Sequence, residues 1–440
     1  MTKMKESGID WIGQIPEEWE VIKFKYLGDV KQGLTYSPSD IVDKDEGILV
    51  LRSGNIQNGV LDFTNNVYVK TKVAESIVLR KNDILITARN GSSALIGKNA
   101  IIDTDIKATF GAFMMVFRTN KSLIAKFAFY LMNVSFNFYR TFFTTSTVNQ
   151  LTAAIFNGIE VPLPSISEQQ KIADFLDKKT AQLDKVKSLL EEQIQKLKDY
   201  RASLIYETVT KGLDKTVPMK DSGIDWIGQV PEGWEMVKFK YFFNTSKGLS
   251  ITKECLVDEG IPVINYGQIH SSMSKQVQSC DFRLPFVPDY YLSKKGANLN
   301  QGDFVFADTS EDLEGAGNFS TRIDSTGPLL AGYHTIIARL NNYDEYDFRY
   351  FMHLFDSLAI RKQIQNKVSG IKVYSITQGI LNSIFVIIPP KSEQQKIANL
   401  LDEKTAQIDK LVQIKNQQIE NINKQRQTLI YDYVTGKRRG

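Results

Sequence analysis

The chain has 440 residues, of which 42% are apolar and 24% are charged. This length exceeds that of one domain, and the composition is typical of a globular protein with two to three domains. The net charge of +4 does not by itself indicate nucleic-acid binding, and the sequence has no run of eighteen apolar residues, so no membrane-spanning helix is expected.

The N-terminal sequence and the cysteines bear on location. MTKMKESGIDW has no apolar signal region, so we expect a cytoplasmic protein without membrane attachment. Cys255 and Cys280 lie far apart without a CxxC spacing, so we expect two buried thiols rather than a disulfide or a zinc site.

Two long segments of the chain are repeated. Residues 5–27 return at 220–242, and residues 167–210 return at 392–435, while the stretches between the copies diverge. We call the first repeated segment the opener. A constant frame with variable inserts indicates one scaffold that holds two different binding heads.

All four tryptophans lie in the openers, at Trp11, Trp19, Trp226 and Trp234. Exposed tryptophans often anchor a partner protein. We favour the alternative, in which they pin each opener to a domain core.

The inserts after the openers predict an α/β fold, because short β-rich runs bounded by turn residues recur in both. The runs are GILVLRSGNI, NDILITARN and AFMMVFRTN in the first insert, and GIPVINYGQI, GDFVFADTS and HTIIARLNN in the second. When the two inserts are aligned, three residues are identical: Gly54 with Gly267, Asp83 with Asp303, and Gly111 with Gly332. The alignment also places Arg89 and Asn90 opposite different residues, Thr309 and Ser310. Helical stretches FAFYLMNVSFNFY and FRYFMHLFDSLAI follow. The same fold with different strand ends is what two heads with different targets would require.

Charge differs between the two inserts. Residues 28–150 have 14 Lys and Arg against 10 Asp and Glu, and residues 243–380 have 13 against 15. The slightly acidic second insert argues against a simple electrostatic DNA footprint there.

The second repeated segment predicts a long helix in each copy. Leu176, Leu183, Leu190, Leu197 and Leu204 recur every seven residues, and Leu401, Ile408, Leu411, Ile419, Ile422 and Leu429 form a similar seam. Heptads of this length between polar positions indicate a coiled coil of about 60 Å. Each apolar stripe could pack on its own globular neighbour. We favour packing of the two stripes on each other, antiparallel and within the chain.

The ends of these helices are also predicted. Ser167 with Gln170, and Ser392 with Gln395, match the capping-box pattern, downstream of Pro164 and Pro390. Gly212 and Gly436 are expected terminators. If the modules are related by an approximate two-fold, the chain termini should lie close together.

The order of these segments resembles the specificity subunit of Type I restriction–modification enzymes. The similarity rests on VPLPSISEQQKIADFLD and its second copy, and on the paired GIDWIGQ-P-WE openers, and it covers essentially the whole chain. It implies two target-recognition domains of similar α/β fold in a pseudo-two-fold arrangement, separated by two long helices that form an antiparallel coiled coil. The implied boundaries are 1–164, 165–212, 213–390 and 391–440.

The resemblance also implies partners and function. Each recognition domain would read one half of a split double-stranded DNA site, and because the strand ends of the two modules differ, we expect the two halves to differ and the site to be asymmetric. The chain would be non-catalytic and would hold no cofactor. It would assemble with two methyltransferase subunits, which carry S-adenosylmethionine, and with restriction subunits, which use ATP and Mg²⁺.

Candidate DNA-reading residues lie in polar loops, because Arg and Lys reach guanine, Asn and Gln pair with adenine, and Ser and Thr adapt. An ordinary solvated turn is the alternative for each. In the first module the candidates are Arg52, Ser53, Asn55, Gln57, Arg89, Asn90, Ser92, Ser93, Lys98, Thr145, Ser146, Thr147, Asn149 and Gln150. In the second they are Asn265, Tyr266, Gln268, Thr309, Ser310, Asn318, Lys367, Lys372 and Tyr374. His334, at a strand entry, is interpreted as structural, with a base contact as the alternative.

Catalytic motifs are missing from the sequence. Residues 91–99 resemble a phosphate loop faintly, but the spacing is one residue too long and Asn99 stands where Ser or Thr would hold Mg²⁺. The three histidines show no metal-ligand spacing. Two rival hypotheses remain at this point: a coiled-coil adaptor that binds protein partners, and a DNA enzyme with unrecognised motifs.

Overall fold

The computed structural model describes residues 3–143, 149–271, 275–370 and 373–438. It divides into two compact units. Unit 1 contains Met1–Leu190 and Asn416–Gly440, and unit 2 contains Glu191–Lys415. Each of the two long helices therefore supplies residues to both units.

Unit 1 is built on two four-stranded sheets of order β11-β10-β13-β4 and β12-β6-β9-β5, with hairpins β1-β2 and β7-β8 and the pair β14-β3. Only the β12–β6 pairing is parallel among these described strands. The strands are β1 (Met4–Glu6), β2 (Gln14–Pro16), β3 (Glu20–Lys23), β4 (Gly28–Gln32), β5 (Ile41–Val42), β6 (Ile48–Leu51), β7 (Ile56–Gln57), β8 (Val60–Leu61), β9 (Val67–Val69), β10 (Ile84–Thr87), β11 (Asn99–Ile101), β12 (Ala108–Phe110), β13 (Met114–Thr119) and β14 (Glu160–Leu163).

Unit 2 repeats this design with sheets β18-β26-β22-β24-β20 and β21-β19-β25 and the pairs β15-β16, β17-β28 and β23-β27. The strands are β15 (Met219–Asp221), β16 (Gln229–Pro231), β17 (Glu235–Lys238), β18 (Phe243–Lys247), β19 (Ile261–Ile264), β20 (Gln276–Val277), β21 (Phe286–Val287), β22 (Phe304–Ala307), β23 (Thr309–Ser310), β24 (Phe319–Arg322), β25 (Leu330–Ala331), β26 (Thr335–Leu340), β27 (Tyr374–Ser375) and β28 (Phe385–Ile388).

The central strands are buried on both faces, which accounts for their continuous apolar runs. Successive side chains of a strand point to opposite faces. In β10, Ile84 and Ile86 enter one core cluster and Leu85 enters another. In β22, Phe304 and Phe306 face one cluster and Val305 the other. The predicted strands of both inserts are thus confirmed.

A buried ion pair braces the same point in each unit. Asp83, at the start of β10, accepts two hydrogen bonds of 2.8 Å from the Arg118 guanidinium on β13. Its counterpart Asp303 pairs with Arg339 on β26 at 3.1 Å. The predicted match between Asp83 and Asp303 therefore reflects the same structural role.

The helices are α1 (Ala125–Tyr139), α2 (Ala153–Gly158), α3 (Ile166–Lys211), α4 (Tyr266–His270), α5 (Phe348–Asp356), α6 (Leu358–Gln365), α7 (Gln378–Ser383) and α8 (Lys391–Val434). The single helix expected over FRYFMHLFDSLAI is two helices. Ser357 is extended (φ −73°, ψ 152°) and separates α5 from α6.

The long helices begin earlier than the capping-box pattern predicted. In α3, Ser165 Oγ accepts from the Glu168 amide, so Ser165 rather than Ser167 is the cap. In α8, the Pro390 carbonyl accepts from the amides of Glu393 and Gln394, which places Ser392 inside the helix. Both helices start directly after the predicted proline region. Gly212 and Gly436 follow their ends with φ near +70°.

Within each unit the two long helices run antiparallel. In unit 1 the ring of Phe175 in α3 stacks on that of Tyr433 in α8, with 4.4 Å between the centroids. Asp184, which comes later in α3, pairs with Arg426, which comes earlier in α8, so the two helices run in opposite directions. In unit 2, Arg201 pairs with Asp409 at 3.4 Å, and Lys415 Nζ donates to Gln193. The predicted antiparallel pairing is confirmed inside each unit.

The helix ends also pack on the globular part of each unit. The apolar stripes therefore pack both on each other and on their globular neighbours, as the two alternatives proposed. Ile172, Leu176 and Val434 join the core of unit 1, and Ile205 and Leu401 join that of unit 2. One seam assignment was wrong. Leu411 is 46% exposed. The next seam position lies four residues after Ile408, which is Val412, and Val412 is half-buried.

Each opener closes against a helix end. Trp19 Nε1 donates to Glu168 at 3.1 Å, and Trp234 Nε1 donates to Glu393 at 3.0 Å. Gly436 lies against Pro16 and Trp19, which brings the N- and C-terminal segments of unit 1 together as predicted.

The core role predicted for the tryptophans holds for Trp19 and Trp234, which are 0% and 2% exposed. Trp11 stacks on Phe138 at 4.9 Å, and Trp226 is 41% exposed.

The expectation of buried thiols was wrong, because Cys255 is half-buried and Cys280 is exposed. Among the described residues, no helix is both long and apolar enough to cross a membrane.

Candidate nucleic-acid interface

Each unit has a cleft at the same place in its sheets, where the loops after two central strands meet the turn before the longest strand. Cleft 1, in unit 1, has a volume of about 640 Å³. Its lining includes Tyr36, Arg52, Ser53, Arg89, Asn90 and Phe113. Cleft 2, in unit 2, has a volume of about 800 Å³, and its lining includes Tyr266, His270, Thr309, Asp312, Asn318 and His334.

Strand positions show why these residues meet. Arg52 directly follows β6, Arg89 lies just past β10, and Phe113 directly precedes β13. Since β10 and β13 are antiparallel neighbours, the end of one lies beside the start of the other. The Arg52 and Arg89 side chains are both exposed. None of the described residues that line cleft 1 is acidic, so the cleft is basic.

The two loops of cleft 1 are tied together at Ser53. Thr87 Oγ1 donates to Ser53 Oγ at 3.2 Å, and Lys98 Nζ donates to the Ser53 carbonyl at 3.4 Å. Partial burial lowers the pKa of Lys98. These contacts hold Arg52 and Arg89 on a fixed frame, which favours a pre-organised binding surface.

Cleft 2 is organised around His270. Its Nε2–H donates to the Thr309 carbonyl at 2.7 Å, and its Nδ1 accepts from the Asn318 amide at 3.1 Å. These partners assign a neutral tautomer with the proton on Nε2. Asn318 Oδ1 accepts in turn from Arg361 at 3.0 Å. His270 therefore braces the loop that begins at Thr309.

The rim of cleft 2 is acidic where that of cleft 1 is basic. Glu311, Asp312 and Glu314 line it and are exposed. Carboxylates accept hydrogen bonds from cytosine N4 in the major groove, whereas arginines donate to guanine. The two clefts therefore present different chemistry on the same frame.

Eight of the sequence candidates line these clefts: Arg52, Ser53, Arg89 and Asn90 in cleft 1, and Tyr266, Thr309, Ser310 and Asn318 in cleft 2. Others contact the cleft loops from neighbouring segments of the chain. Gln150 bridges to Arg89, and Tyr374 pairs with Ser310. Asn149 Nδ2 donates to the Gly91 carbonyl at 3.1 Å.

The remaining candidates fall into four groups, of which the buried pair Asn55 and Asn265 is described last. Some lie close in sequence to lining residues without lining a cleft themselves: Gln57 in β7, Ser92, Ser93 and Lys98 after β10, and Gln268 in α4. Lys367 lies at a different depression, beside Trp226. Thr145, Ser146, Thr147 and Lys372 lie outside the described residues.

Asn55 and Asn265 are buried, and Asn55 bonds within its own loop whereas Asn265 bonds to the turn before β26. Asn55 Oδ1 accepts from the Arg52 amide at 2.9 Å and Nδ2 donates to the Asp62 carbonyl at 2.9 Å. Asn265 Oδ1 accepts from the Tyr333 amide at 3.1 Å, in space that a side chain at Gly332 would fill. Each is 1% exposed, so the structure places both beneath the cleft surface, and their contact with DNA stays a prediction.

Sequence reasoning missed Phe113 and gave His334 a mainly structural role. Both follow the matched glycines Gly111 and Gly332 by two residues, and both are exposed at a cleft. That alignment was the signal that could have found them. Phe113 was missed because the candidates were chosen only for hydrogen-bonding side chains, whereas an apolar side chain can also contact a base, through the thymine methyl group.

Comparison with known proteins agrees with the repeat. A family model described as the Type I restriction modification DNA specificity domain matches residues 16–198 and 231–424. The type I restriction enzyme EcoKI specificity subunit of Escherichia coli is 27% identical over 432 residues, covering 95% of this chain and 89% of that one. The MjaVIII specificity subunit of Methanocaldococcus jannaschii is 24% identical over 435 residues, covering 96% and 94%.

The chain belongs to the family of type I restriction–modification specificity subunits. A solved chain from work on complex assembly and conformational transition of the type I R-M system has the same fold, with a TM-score of 0.70 at 15% identity. It covers 96% of this chain and 99% of that one. The resemblance read from the repeats is thus confirmed.

In this specificity subunit the family domain occurs twice. Each matched segment begins in an opener, at β2 or β16, and ends within a long helix. Each match therefore spans part of one opener, one cleft and part of one helix, so the cleft is part of the unit that the family repeats.

Proposed function

We propose that this specificity subunit reads an asymmetric, bipartite double-stranded DNA site, with cleft 1 on one half and cleft 2 on the other. The observation that carries the proposal is the pair of equivalent clefts with unlike linings. Arg52 and Arg89 suit guanine and phosphate, and the acidic rim with Tyr266 and Thr309 suits a different base sequence. Two unlike readers predict two unlike half-sites.

The long helices are proposed to set the gap between the half-sites and to dock methyltransferase subunits. Helix α3 has 46 residues, which corresponds to about 69 Å at 1.5 Å per residue. Arg201 and Arg426 occupy equivalent heptad positions and pair with the equivalent residues Asp409 and Asp184. A frame that repeats its contacts in this way can offer the same surface to two copies of one partner.

The chain is proposed to be non-catalytic and cytoplasmic. Methyl transfer would fall to two methyltransferase subunits carrying S-adenosylmethionine. Cleavage would fall to restriction subunits that use ATP and Mg²⁺. The role left to this chain is recognition, which needs loops that differ between units and a frame that does not.

A binding experiment with the methyltransferase subunits present tests the proposal. Duplexes that carry a methylated host site should bind more tightly than scrambled duplexes, by a factor of about 10³ or more. The logarithm of the binding constant should fall linearly with the logarithm of salt concentration, because phosphate contacts release counterions. Equal affinity for scrambled and specific duplexes would contradict the proposal, as would DNA cleavage or methyl transfer by the chain alone.

The acidic rim of cleft 2 would also suit a coiled-coil adaptor that binds protein partners, because carboxylates repel DNA phosphates. The same salt titration separates the two functions. An adaptor would leave duplex DNA unbound at physiological salt in the presence of its partners.

A further inference from the structure

Phe113 and His334 occupy the same position in the two units. Each stands two residues after a matched glycine, at the turn that enters the longest strand. The Phe113 carbonyl accepts hydrogen bonds from the amides of Ala88 and Arg89, at 2.9 and 3.0 Å, and the His334 carbonyl accepts from Asp308 at 3.1 Å. The backbone of each residue is therefore fixed at the rim of its cleft.

The Phe113 side chain is 64% exposed at this fixed point. Exposure alone carries no argument, since single exposed apolar residues are common and Phe282 is 91% exposed. Phe113 differs because it lines cleft 1 together with Arg52 and Arg89. A ligand that meets the two arginines would also cover the phenyl ring.

The chemistry of the ring selects one feature of DNA. A phenyl ring neither donates nor accepts a conventional hydrogen bond, and the apolar group that base edges display in the major groove is the thymine 5-methyl. We propose that Phe113 is a specificity-determining residue that contacts the 5-methyl group of a thymine in the half-site read by unit 1. This inference rests on the proposed function of cleft 1.

The equivalent position in unit 2 has the opposite character. His334 Nδ1 lies 3.1 Å from Asp308 Oδ1, and its backbone adopts φ +55°. A polar ring paired with a carboxylate offers no apolar surface for a methyl group. Methyl recognition through this position therefore belongs to one half-site and not to the other.

Deoxyuridine tests the contact because it lacks only the 5-methyl group of thymine. The specificity subunit, assembled with its methyltransferase subunits, is titrated with specific duplexes in which each thymine is replaced in turn. One replacement, in one half-site, should weaken binding about fourfold, which corresponds to one buried methyl-sized group. In Phe113→Ala the same replacement should have no further effect, and Phe113→Leu should retain part of it.

Phe282→Ala removes an exposed phenyl ring that lines neither cleft, so it is the matched control and should keep the full thymine preference of wild type. Thermal unfolding of Phe113→Ala should match wild type, because the ring is exposed. The inference is overturned if wild type ignores every replacement, or if Phe113→Ala still distinguishes thymine from uracil at the sensitive position. Loss of all sequence preference in wild type would instead reject the proposed function itself.

Discussion

Arg89 combines an exposed guanidinium with a backbone that the Phe113 carbonyl holds in place. If it donates to a guanine edge, Arg89→Ala should weaken specific binding by about 1–3 kcal/mol and relax the preference at one base pair. Competition binding with duplexes altered one position at a time measures this. Lys121→Ala, at an exposed turn before α1, is the control and should leave the preference unchanged. An equal loss on every duplex would assign Arg89 to phosphate instead.

Asp83 is the buried residue on which the frame of cleft 1 depends most directly. It is 1% exposed, and Arg118 is its ion-pair partner. Asp83→Ala removes both carboxylate hydrogen bonds of the Arg118 guanidinium, which is 22% exposed and keeps its bond to the Val78 carbonyl, so the free energy of unfolding should fall by about 2–3 kcal/mol. Urea unfolding of the purified chain measures the change. Glu75→Ala, which removes an exposed partner of Arg80, should cost at most about 1 kcal/mol. Equal effects of the two variants would argue against a structural role for the buried pair.

Single polar residues in loops show the limit of sequence reasoning. Arg52 and Asn55 belong to one polar run, yet the first is exposed and the second is buried by hydrogen bonds with its own loop. Such a division depends on which carbonyls come within reach after the turn has formed. Residue type alone could therefore identify the loop, but it could not distinguish an exposed side chain that can contact DNA from a buried one that stabilises the loop.

At the scale of elements, the junction of α5 with the long helices carries charge in unit 2. Arg201 Nη1 donates to Asp356 at 2.8 Å, and Lys275 Nζ lies 3.6 Å from the same carboxylate. Burial would raise the pKa of Asp356, but Lys275 and Arg201 hold it below its usual value. Burial lowers the pKa of Lys275. The two cations therefore favour the charged form of the Asp356 carboxylate, and that form stabilises the fold.

The lowered pKa of Asp356 predicts a specific pH dependence. A carboxylate with a depressed folded pKa stabilises the fold above the unfolded pKa of 3.8 and loses that contribution as pH falls through the folded value. Asp356→Asn should therefore be less stable than wild type at pH 7, and the difference should shrink below about pH 4. Urea unfolding followed by tryptophan fluorescence measures it. The exposed Asp344→Asn is the control, and a pH-independent difference would contradict the assignment.

The proposed spacer role of α3 and α8 predicts the effect of lengthening them. Four residues inserted after Leu190 and after Lys415, at the unit boundaries, add about 6 Å to each helix. At about 3.4 Å per base pair, the gap between half-sites should grow by one or two base pairs while both half-sites stay the same. Methylome sequencing of a host with this variant reads the gap directly. An unchanged gap would refute the spacer role.

Elements with strong periodicity could be predicted from the sequence, and local exceptions could not. The leucine repeats identified both long helices, because an apolar stripe sustained at heptad spacing over this length is typical of a coiled coil. The break at Ser357 was missed, because no proline or glycine marks it in FRYFMHLFDSLAI. Helix starts were misplaced, because Ser165 and Ser167 both fit a cap and only the structure shows which one accepts from an amide.

For the whole molecule, the repeat was the strongest signal, since it predicted two modules of one fold before any strand was assigned. The clefts could be located from it only in part. The matched glycines Gly54, Gly111 and Gly267 line the clefts, but Phe113 at the rim of cleft 1 has no hydrogen-bonding side chain that would have marked it as a candidate. The excess of Asp and Glu over Lys and Arg in residues 243–380 agrees with the acidic rim of cleft 2, where Glu311, Asp312 and Glu314 lie.

The central claim is that two unlike clefts on one repeated frame read two unlike half-sites. A methylation map of a host that lacks this chain, complemented either by wild type or by a chimera with residues 28–150 from another family member, tests it most directly. Wild type should restore one bipartite motif with unequal halves and a fixed gap, and the chimera should replace one half only. Restoration of a symmetric motif by wild type, or a change in both halves with the chimera, would contradict the claim.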